Sequence, residues 1–296
     1  MMIAREYNKR CQPPFSEEEI VHKMNGAFQK PITRMLGETR GGSSWSNKQA
    51  IEQSREMARI EREAREREAA GAKSEGRKAM EKIMQDCAWD VASAWDDSPL
   101  RIDDKTAVNP FWQTRLLPSE GFFWHGDNLY QGSFKTGAQL TTEAKEGNLR
   151  GRVSLSAFKR DAENRKAENI QSRPFILIES DKLFSTGLEP STPEEKDALI
   201  RESLARVRFM RERLGWDLKW IAHTGGKSVH SVFSADGVDL ADLGAVGERI
   251  GIDCSPVKNA TSTTRWAGTR HEKTGGKAKL LWCGMPRGCF RGDGIS

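Results

Sequence analysis

Residues 175–181, Phe-Ile-Leu-Ile-Glu-Ser-Asp, and residues 225–230, Gly-Gly-Lys-Ser-Val-His, decide how this chain is read. The first is an apolar strand that ends in an acid pair spaced by one residue. The second is a double glycine that opens a strand carrying Ser-x-His. Side chains on a strand alternate faces, so Glu179 and Asp181 project to one side together, and so do Ser228 and His230. If the strands are neighbours, four polar groups converge. Close carboxylates repel one another and stay ionised only beside a cation or hydrogen-bond donors, which makes a divalent metal a natural occupant. Acids are rarely placed at the end of so apolar a strand without a partner. The glycine turn lets the backbone approach a ligand closely and brings N–H groups and Lys227 toward a phosphate. A triphosphate suits such a site.

Outward from these strands the pattern is regular. Thr192-Pro193-Glu194-Glu195 is a capped helix start with proline in the first position, Leu199, Ile200, Leu204, Val207, Met210 and Leu214 form one apolar stripe, and Gly215 closes the helix. Strand 217–223, a turn at 224–227, strand 228–233, a helix from about Val238 to Ile250 and a last strand near Ile252 or at 280–282 follow. The order βαββαβ is that of a ferredoxin-like, or RRM-like, unit over about residues 175–290: one antiparallel sheet, both helices on one face, the other face left for chemistry or nucleic acid. The fold class expected is α+β. Asp253 arrives after the second helix as a third carboxylate. With Glu179 and Asp181 it would surround one or two divalent ions; two ions about 3.5 to 4 Å apart activate a 3′-hydroxyl and stabilise a leaving pyrophosphate. Oxygen ligands suit magnesium or manganese.

Two competing enzyme classes fail on spacing. A Walker A loop needs Gly five residues before Gly226, where the chain has Ile221, and it opens a helix rather than a strand. A Ser-His hydrolase needs a nucleophile elbow, and no Gly-x-Ser-x-Gly surrounds Ser228. Arg265, Arg270, His271 and Lys273 form a basic cluster in the loop that follows; beside a metal site such a cluster clamps a triphosphate or a template.

The remainder of the 296 residues bounds the protein. Hydrophobic residues make up 36% and charged residues 30%, so part of the length is a solvated helix or linker rather than core. Three segments are expected: a small helical module over 1–38, a loop and charged helical linker over 39–86, and a catalytic domain over 87–296. In the first, Ser16 and Glu19 form a capping box ahead of a short amphipathic helix from Glu17. In the second, the run from Lys48 to about Asp86 alternates acids and bases with few apolar residues, the pattern of an exposed helix or a partly disordered connector. Residues 87–174 scatter aromatics among Gly, Asn and Asp, the pattern of short strands around an aromatic core. Thr136 to Arg173 is mostly polar and reads as a mobile loop. Five cysteines form no Cys-x-x-Cys pair and no apolar leader is present, which points to a reduced, cytoplasmic protein. No run is long enough for a membrane span. The net charge of +5 is concentrated late: residues 255–296 hold eight Lys or Arg against two Asp or Glu, a distribution suited to tracking phosphates.

At these motifs the sequence resembles the catalytic domain of the archaeo-eukaryotic primase superfamily, particularly the primase-like proteins of phages, plasmids and mobile elements. That family carries an acid-x-acid ending a strand, a Ser-x-His on a later strand and an apolar-Asp further on, matched here by Glu179 and Asp181, Ser228 and His230, and Asp253. Residues 265–281 resemble the family's Arg-x-x-Gly-Thr segment. The first acid is Glu where the family more usually has Asp. The resemblance implies an α/β unit joined to an RRM-like unit with the active site between them. It further implies that the three acids hold the catalytic metals and that His230 contacts the phosphates of the incoming nucleotide. The N-terminal segment is similar to the small helical module that follows the catalytic domain in many mobile-element primases. The function expected is a template-directed DNA primase or primase-polymerase. It would use Mg2+ or Mn2+, a single-stranded DNA template and nucleoside triphosphates, with Ser228, His230, Lys227 and Arg265 on the nucleotide. Since the chain carries no helicase P-loop, a separate replicative helicase is an expected partner. A non-catalytic single-strand-binding replication protein and a metal-dependent nuclease are the alternatives.

Overall fold

The structure, a computed structural model, describes residues 44–149 and 151–285. The expected helical module over 1–38 and the last basic residues of the chain lie outside the described residues. The chain divides into units of residues 1–67 and 68–296. Helix α1 (Ser44–Asp86) begins in the first and ends in the second. Its exposed length is laced by i,i+4 pairs such as Arg59–Glu63 at 2.7 Å and Arg77–Glu81 at 3.2 Å. Such solvent-exposed pairs are screened by water and salt and add little to stability. Toward its end the helix turns apolar, and Met80 and Ile83 are buried with Cys87 just beyond it.

After the short helices α2 (Val91–Asp96) and α3 (Phe111–Thr114) comes a first antiparallel sheet. It is built from β1 (Phe122–Gly126), β2 (Ser133–Thr136), β3 (Arg152–Phe158) and β4 (Ile170–Ser172), in the order β2-β1-β3-β4. Late in the chain β8 (Thr263–Arg265) joins the other end of β3, pairing Arg152 with Arg265 and Val153 with Thr264. The expectation of a mobile loop over 136–173 is therefore corrected. That segment contains helix α4 (Gly137–Lys145), capped reciprocally by Thr136 and Gln139, and β3 at the centre of the sheet. The strand looks polar because two serines occupy its buried face. Ser154 and Ser156 are both fully buried, and each is satisfied: Ser154 Oγ donates to Ser156 O and accepts from Trp124 N, and Ser156 Oγ donates to Ala260 O. A hydrogen-bonded hydroxyl enters a core at little cost.

The second sheet holds β5 (Phe175–Ile178), β6 (Leu218–His223), β7 (Val229–Ser234) and β9 (Lys279–Cys283), all antiparallel in the order β5-β7-β6-β9. Helix α5 (Pro193–Arg213) starts on the Thr192–Glu195 capping box and Pro193, as its sequence requires, and Gly215 lies just past its end at φ +69°. The βαββα order is the one expected, but the final strand departs from the ferredoxin-like plan, in which it lies beside the first. Here β9 lies on the opposite edge, against β6. The place beside β5 is taken by one antiparallel bridge between Glu179 and Asp253. Both candidate positions for the last strand are thus used, one as a strand and one as a single bridge.

The sheet divides two cores. On one side Ile176, Ile178, Phe233 and Ile221 pack with α5, with helix α6 (Leu240–Arg249) and with the end of α1. On the other side Phe175, Leu177, Trp220 and Val232 pack against Phe123, Val153 and Leu155 of the first sheet. The expectation that this second face stays open is corrected for most of its area. Burying each large apolar side chain stabilises by about 1.5 to 3 kcal/mol, so a face this apolar closes against another sheet. Only its end, where the strands carry Glu179 and His230, remains polar.

Candidate active site

Alternation along β5 places Glu179 in phase with Phe175 and Leu177, on the face turned to the first sheet. His230 on β7 has the phase of Val232 and shares that face. The two side chains meet: His230 Nε2 lies 2.7 Å from Glu179 Oε2. The other ring nitrogen, Nδ1, lies 3.0 Å from Thr264 Oγ1 on β8. The imidazole is thereby held at both ends, between a carboxylate of one sheet and a hydroxyl of the other. Thr264 is fully buried and had no local sequence signal; only the pairing of β8 with β3 brings it here.

Asp253 reaches the same place through the backbone. Its N–H donates to Glu179 O at 2.9 Å, and partners in an antiparallel bridge project their side chains to the same side. Its carboxylate accepts from Ser255 N at 2.8 Å at the start of α7 (Ser255–Lys258). Asp181 and Asp253 both line a cavity of about 1000 Å3, together with Lys182, Phe184, Arg249 and Gly251. Lys227 stands over this side of the site, 3.9 Å from Asp181 Oδ2 and 2.7 Å from Glu189 Oε2. Lys227 and its neighbour Lys182 hold the Glu189 carboxyl below the usual carboxylate range, the Lys227 hydrogen bond being the main cause. Ser228 sits one residue before β7. Its carbonyl accepts from the N–H and hydroxyl of Thr224, and its own hydroxyl makes no hydrogen bond among the described residues.

Between the two acids, Ser180 faces the opposite way and is nearly buried. Its Oγ donates to Gly251 O at 2.8 Å and lies 3.4 Å from an Arg206 guanidinium nitrogen. Arg206, 1% exposed, also donates to Ile250 O at 2.6 Å and pairs with Glu202 at 3.1 Å. One buried guanidinium on α5 therefore ties the loop carrying Glu179 and Asp181 to the loop carrying Asp253. The sequence signal for it was an arginine seven residues after Leu199 and four before Met210, on the buried stripe of an otherwise ordinary amphipathic helix. Gly251 completes the joint: at φ +72° a Cβ there would lie 2.6 Å from the Phe184 ring.

On the far side of His230 the charge is positive. Arg265 is 3% exposed and donates to Arg270 O at 3.2 Å and to Glu272 Oε1 at 3.4 Å, so its fork holds its own hairpin rather than standing free. Arg152, paired with it across the strands, shares Glu272 at 3.4 Å. Although burial pushes the Glu272 carboxyl up, Arg152 and Arg265 bring it below its ordinary range. His223 and His271 complete the cluster. Burial first, then His230 and Lys279, lowers the His223 pKa; burial, then Arg265 and Arg152, lowers that of His271. Both imidazoles are therefore held in the neutral form near pH 7. The turn 224–227 packs on the loop 271–277 backbone to backbone, with Thr274 Oγ1 donating to Gly225 O at 2.7 Å.

Three carboxylates and no thiolate form a hard-oxygen donor set, which fits magnesium or manganese rather than a softer metal. Among the described residues, no three His, Cys, Asp or Glu side chains already converge at ligating distance. Glu179 is turned onto His230, and Asp181 faces Lys227. Both carboxylates thus already have partners within the protein. No helix among the described residues is long and apolar enough to cross a membrane.

No protein-family model matches the sequence, and no curated protein does. Among solved structures, the polymerase domain from Mycobacterium tuberculosis ligase D in complex with DNA is similar over 64% of this chain and 74% of that chain. The identity is 13% and the TM-score 0.28. A likeness of that size adds nothing to what the residues themselves carry.

Proposed function

We propose that this protein is a template-directed DNA primase, or primase-polymerase, that joins nucleotides by metal-assisted nucleotidyl transfer in the replication of a phage or mobile element. One observation carries this: three short motifs separated by some fifty and twenty residues meet at one point, with His230 on Glu179 at 2.7 Å and Asp253 bridged to the Glu179 backbone. In the reaction, the 3′-hydroxyl oxygen of a growing strand forms a bond to the α-phosphorus of a nucleoside triphosphate. The bond from that phosphorus to the α,β-bridging oxygen breaks, pyrophosphate leaves, and the hydroxyl proton goes to solvent. Glu179, Asp181 and Asp253 would hold Mg2+ or Mn2+, which supplies hydroxyl activation and neutralises charge on the leaving group. His230, released from Glu179, donates to a phosphate oxygen while Thr264 fixes its ring. Lys227 exchanges Asp181 and Glu189 for the triphosphate, and the turn at Gly225 and Gly226 lets the phosphates approach. Arg265 acts from within the protein, orienting the loop that carries Arg270 and His271.

The test is primer synthesis on single-stranded DNA with labelled ribo- and deoxynucleotides, in Mg2+ and in Mn2+. The expected result is product from the wild type and none from Asp181→Ala or Asp253→Ala. Product from those variants would refute the assignment. The contacts of Glu179 with His230 and of Asp181 with Lys227 favour a second reading, a replication protein that binds single strands without catalysis. It predicts strand binding with no Mn2+-dependent nucleotide binding.

A further inference from the structure

Beyond the candidate site, the most exposed large apolar side chain among the described residues is Tyr130, 92% exposed, beside Leu129 at 44%. It stands at the tip of the β1–β2 hairpin. The turn beneath it is built: Asn128 Oδ1 accepts from Tyr130 N at 2.9 Å and Gln131 N at 3.0 Å, and Asn128 Nδ2 donates to Gln131 Oε1 at 3.1 Å. Gly126 and Gly132 close the base of the hairpin over Trp124, where a Cβ at either would lie within 2.8 Å of its ring. A ring held in water on so ordered a turn gains nothing for the fold.

The hairpin continues the positive cluster of the site. Arg165 stacks over Trp124 at 4.5 Å and donates to Leu129 O at 3.3 Å. Arg152 pairs across the first sheet with Gly126 on one side and with Arg265 on the other. Burial and then Arg152 lower the Arg165 pKa, a sign that the two charges feel one another. The row Arg265, Arg152, Arg165 therefore runs from the candidate site to the hairpin that carries Tyr130. Among the described residues, the carboxylate bonded to this row is Glu272, one negative charge against three guanidinium groups. A positive track ending in an exposed aromatic ring suits an unpaired strand, whose phosphates follow the charge and whose bases offer open faces for stacking. In a duplex those faces are already stacked.

We propose that this hairpin receives the single-stranded DNA template, with Tyr130 stacked on an unpaired base and Arg165 and Arg152 leading the phosphates toward the candidate site. The template role rests on the nucleotidyl-transfer function proposed above; the binding surface does not. The experiment is fluorescence anisotropy of a labelled oligo-dT with the full chain, without nucleotides and in EDTA, across a salt series, with duplex DNA of equal length as competitor. Primer synthesis by the wild type is measured alongside. Tyr130→Ala is expected to weaken binding about 5- to 160-fold with the salt slope unchanged. Tyr130→Trp is expected to keep wild-type affinity, and Arg165→Gln to lower the salt slope by about 0.7. Circular dichroism checks that the variants fold. Wild-type affinity in Tyr130→Ala, no binding by the wild type, or duplex competing as well as single strand would overturn the proposal. If Tyr130-dependent binding is found without primer synthesis, the surface stands and the catalytic assignment falls. If primers form and Tyr130→Ala binds normally, the reverse holds.

Discussion

Arg206→Met removes the guanidinium that joins the two acid-bearing loops. Arg206 is 1% exposed and its partner Glu202 has a side-chain exposure of 12%, so the pair is shielded from water and salt. Burial lowers the Arg206 pKa and Glu202 opposes that, so the carboxylate keeps the guanidinium charged. The substitution leaves Glu202 with the Phe184 N–H at 2.9 Å as its remaining donor and takes from Ile250 O its 2.6 Å partner. Breaking a buried pair from one side costs about 3 to 5 kcal/mol. For a domain of this size each kcal/mol moves Tm by about 2 to 4 °C, which gives a fall of about 6 to 20 °C. Glu202→Met should cost a similar amount, because it strands the opposite charge. The double variant buries neither charge and should cost clearly less than the sum of the singles, keeping about 1 to 3 kcal/mol for each of the two groups left unsatisfied, the Ile250 carbonyl and the Phe184 N–H. Thermal unfolding followed by circular dichroism reads all three. A single variant within about 2 °C of wild type, a figure set by the same conversion, or a double variant equal to the sum of the singles, would refute the account of Arg206 as the tie between loops.

Three further outcomes follow from the geometry. His223 and His271 have lowered pKa values in the folded state, so their contribution to stability is complete above the unfolded value of about 6.5 and is lost as pH falls below it. The urea midpoint should drop between pH 7.5 and 5.5, and His223→Gln should make that drop smaller; an equal drop would count against the burial argument. Gly225→Ala places a Cβ 2.4 Å from Gly276 O at φ +78°, whereas Gly187→Ala, at φ +70°, meets nothing within 4 Å. Both carry backbone strain of about 1 to 3 kcal/mol, and chemical denaturation should find Gly225→Ala clearly the worse. Burial pushes the Cys283 thiol up to about 12. Iodoacetamide at pH 8 should therefore leave the Cys283 peptide unlabelled in the native protein and label it in urea, as mass spectrometry would show.

Much of the second sheet was legible in the sequence because its signals are local. An apolar run ended by acids marks β5, a capping box and Pro193 start α5, and glycines mark the turns; each is satisfied within a few residues, whatever the rest of the chain does. Strand periodicity likewise put Glu179 and His230 on the faces of β5 and β7 at which they meet. The first sheet was not legible over 136–173. Its central strand hides two buried serines whose hydrogen bonds go to Ala260 and Trp124, and those partners exist only in the folded chain. The same holds for Thr264 against His230 and for Arg206 across the loops at Ser180 and Ile250.

Residue types and their short-range order by themselves determined which groups are candidates for chemistry: three carboxylates, an imidazole, a lysine behind two glycines. Tertiary structure alone decided that β9 lies on the far edge of its sheet, that a single bridge sets Asp253 beside Glu179, and that His230 and Lys227 stand against the acids. The physical reason is range. Capping, turns and strand alternation act over a few residues, whereas strand order, the closing of an apolar face and the partners of a buried charge depend on which distant segments can bury surface together.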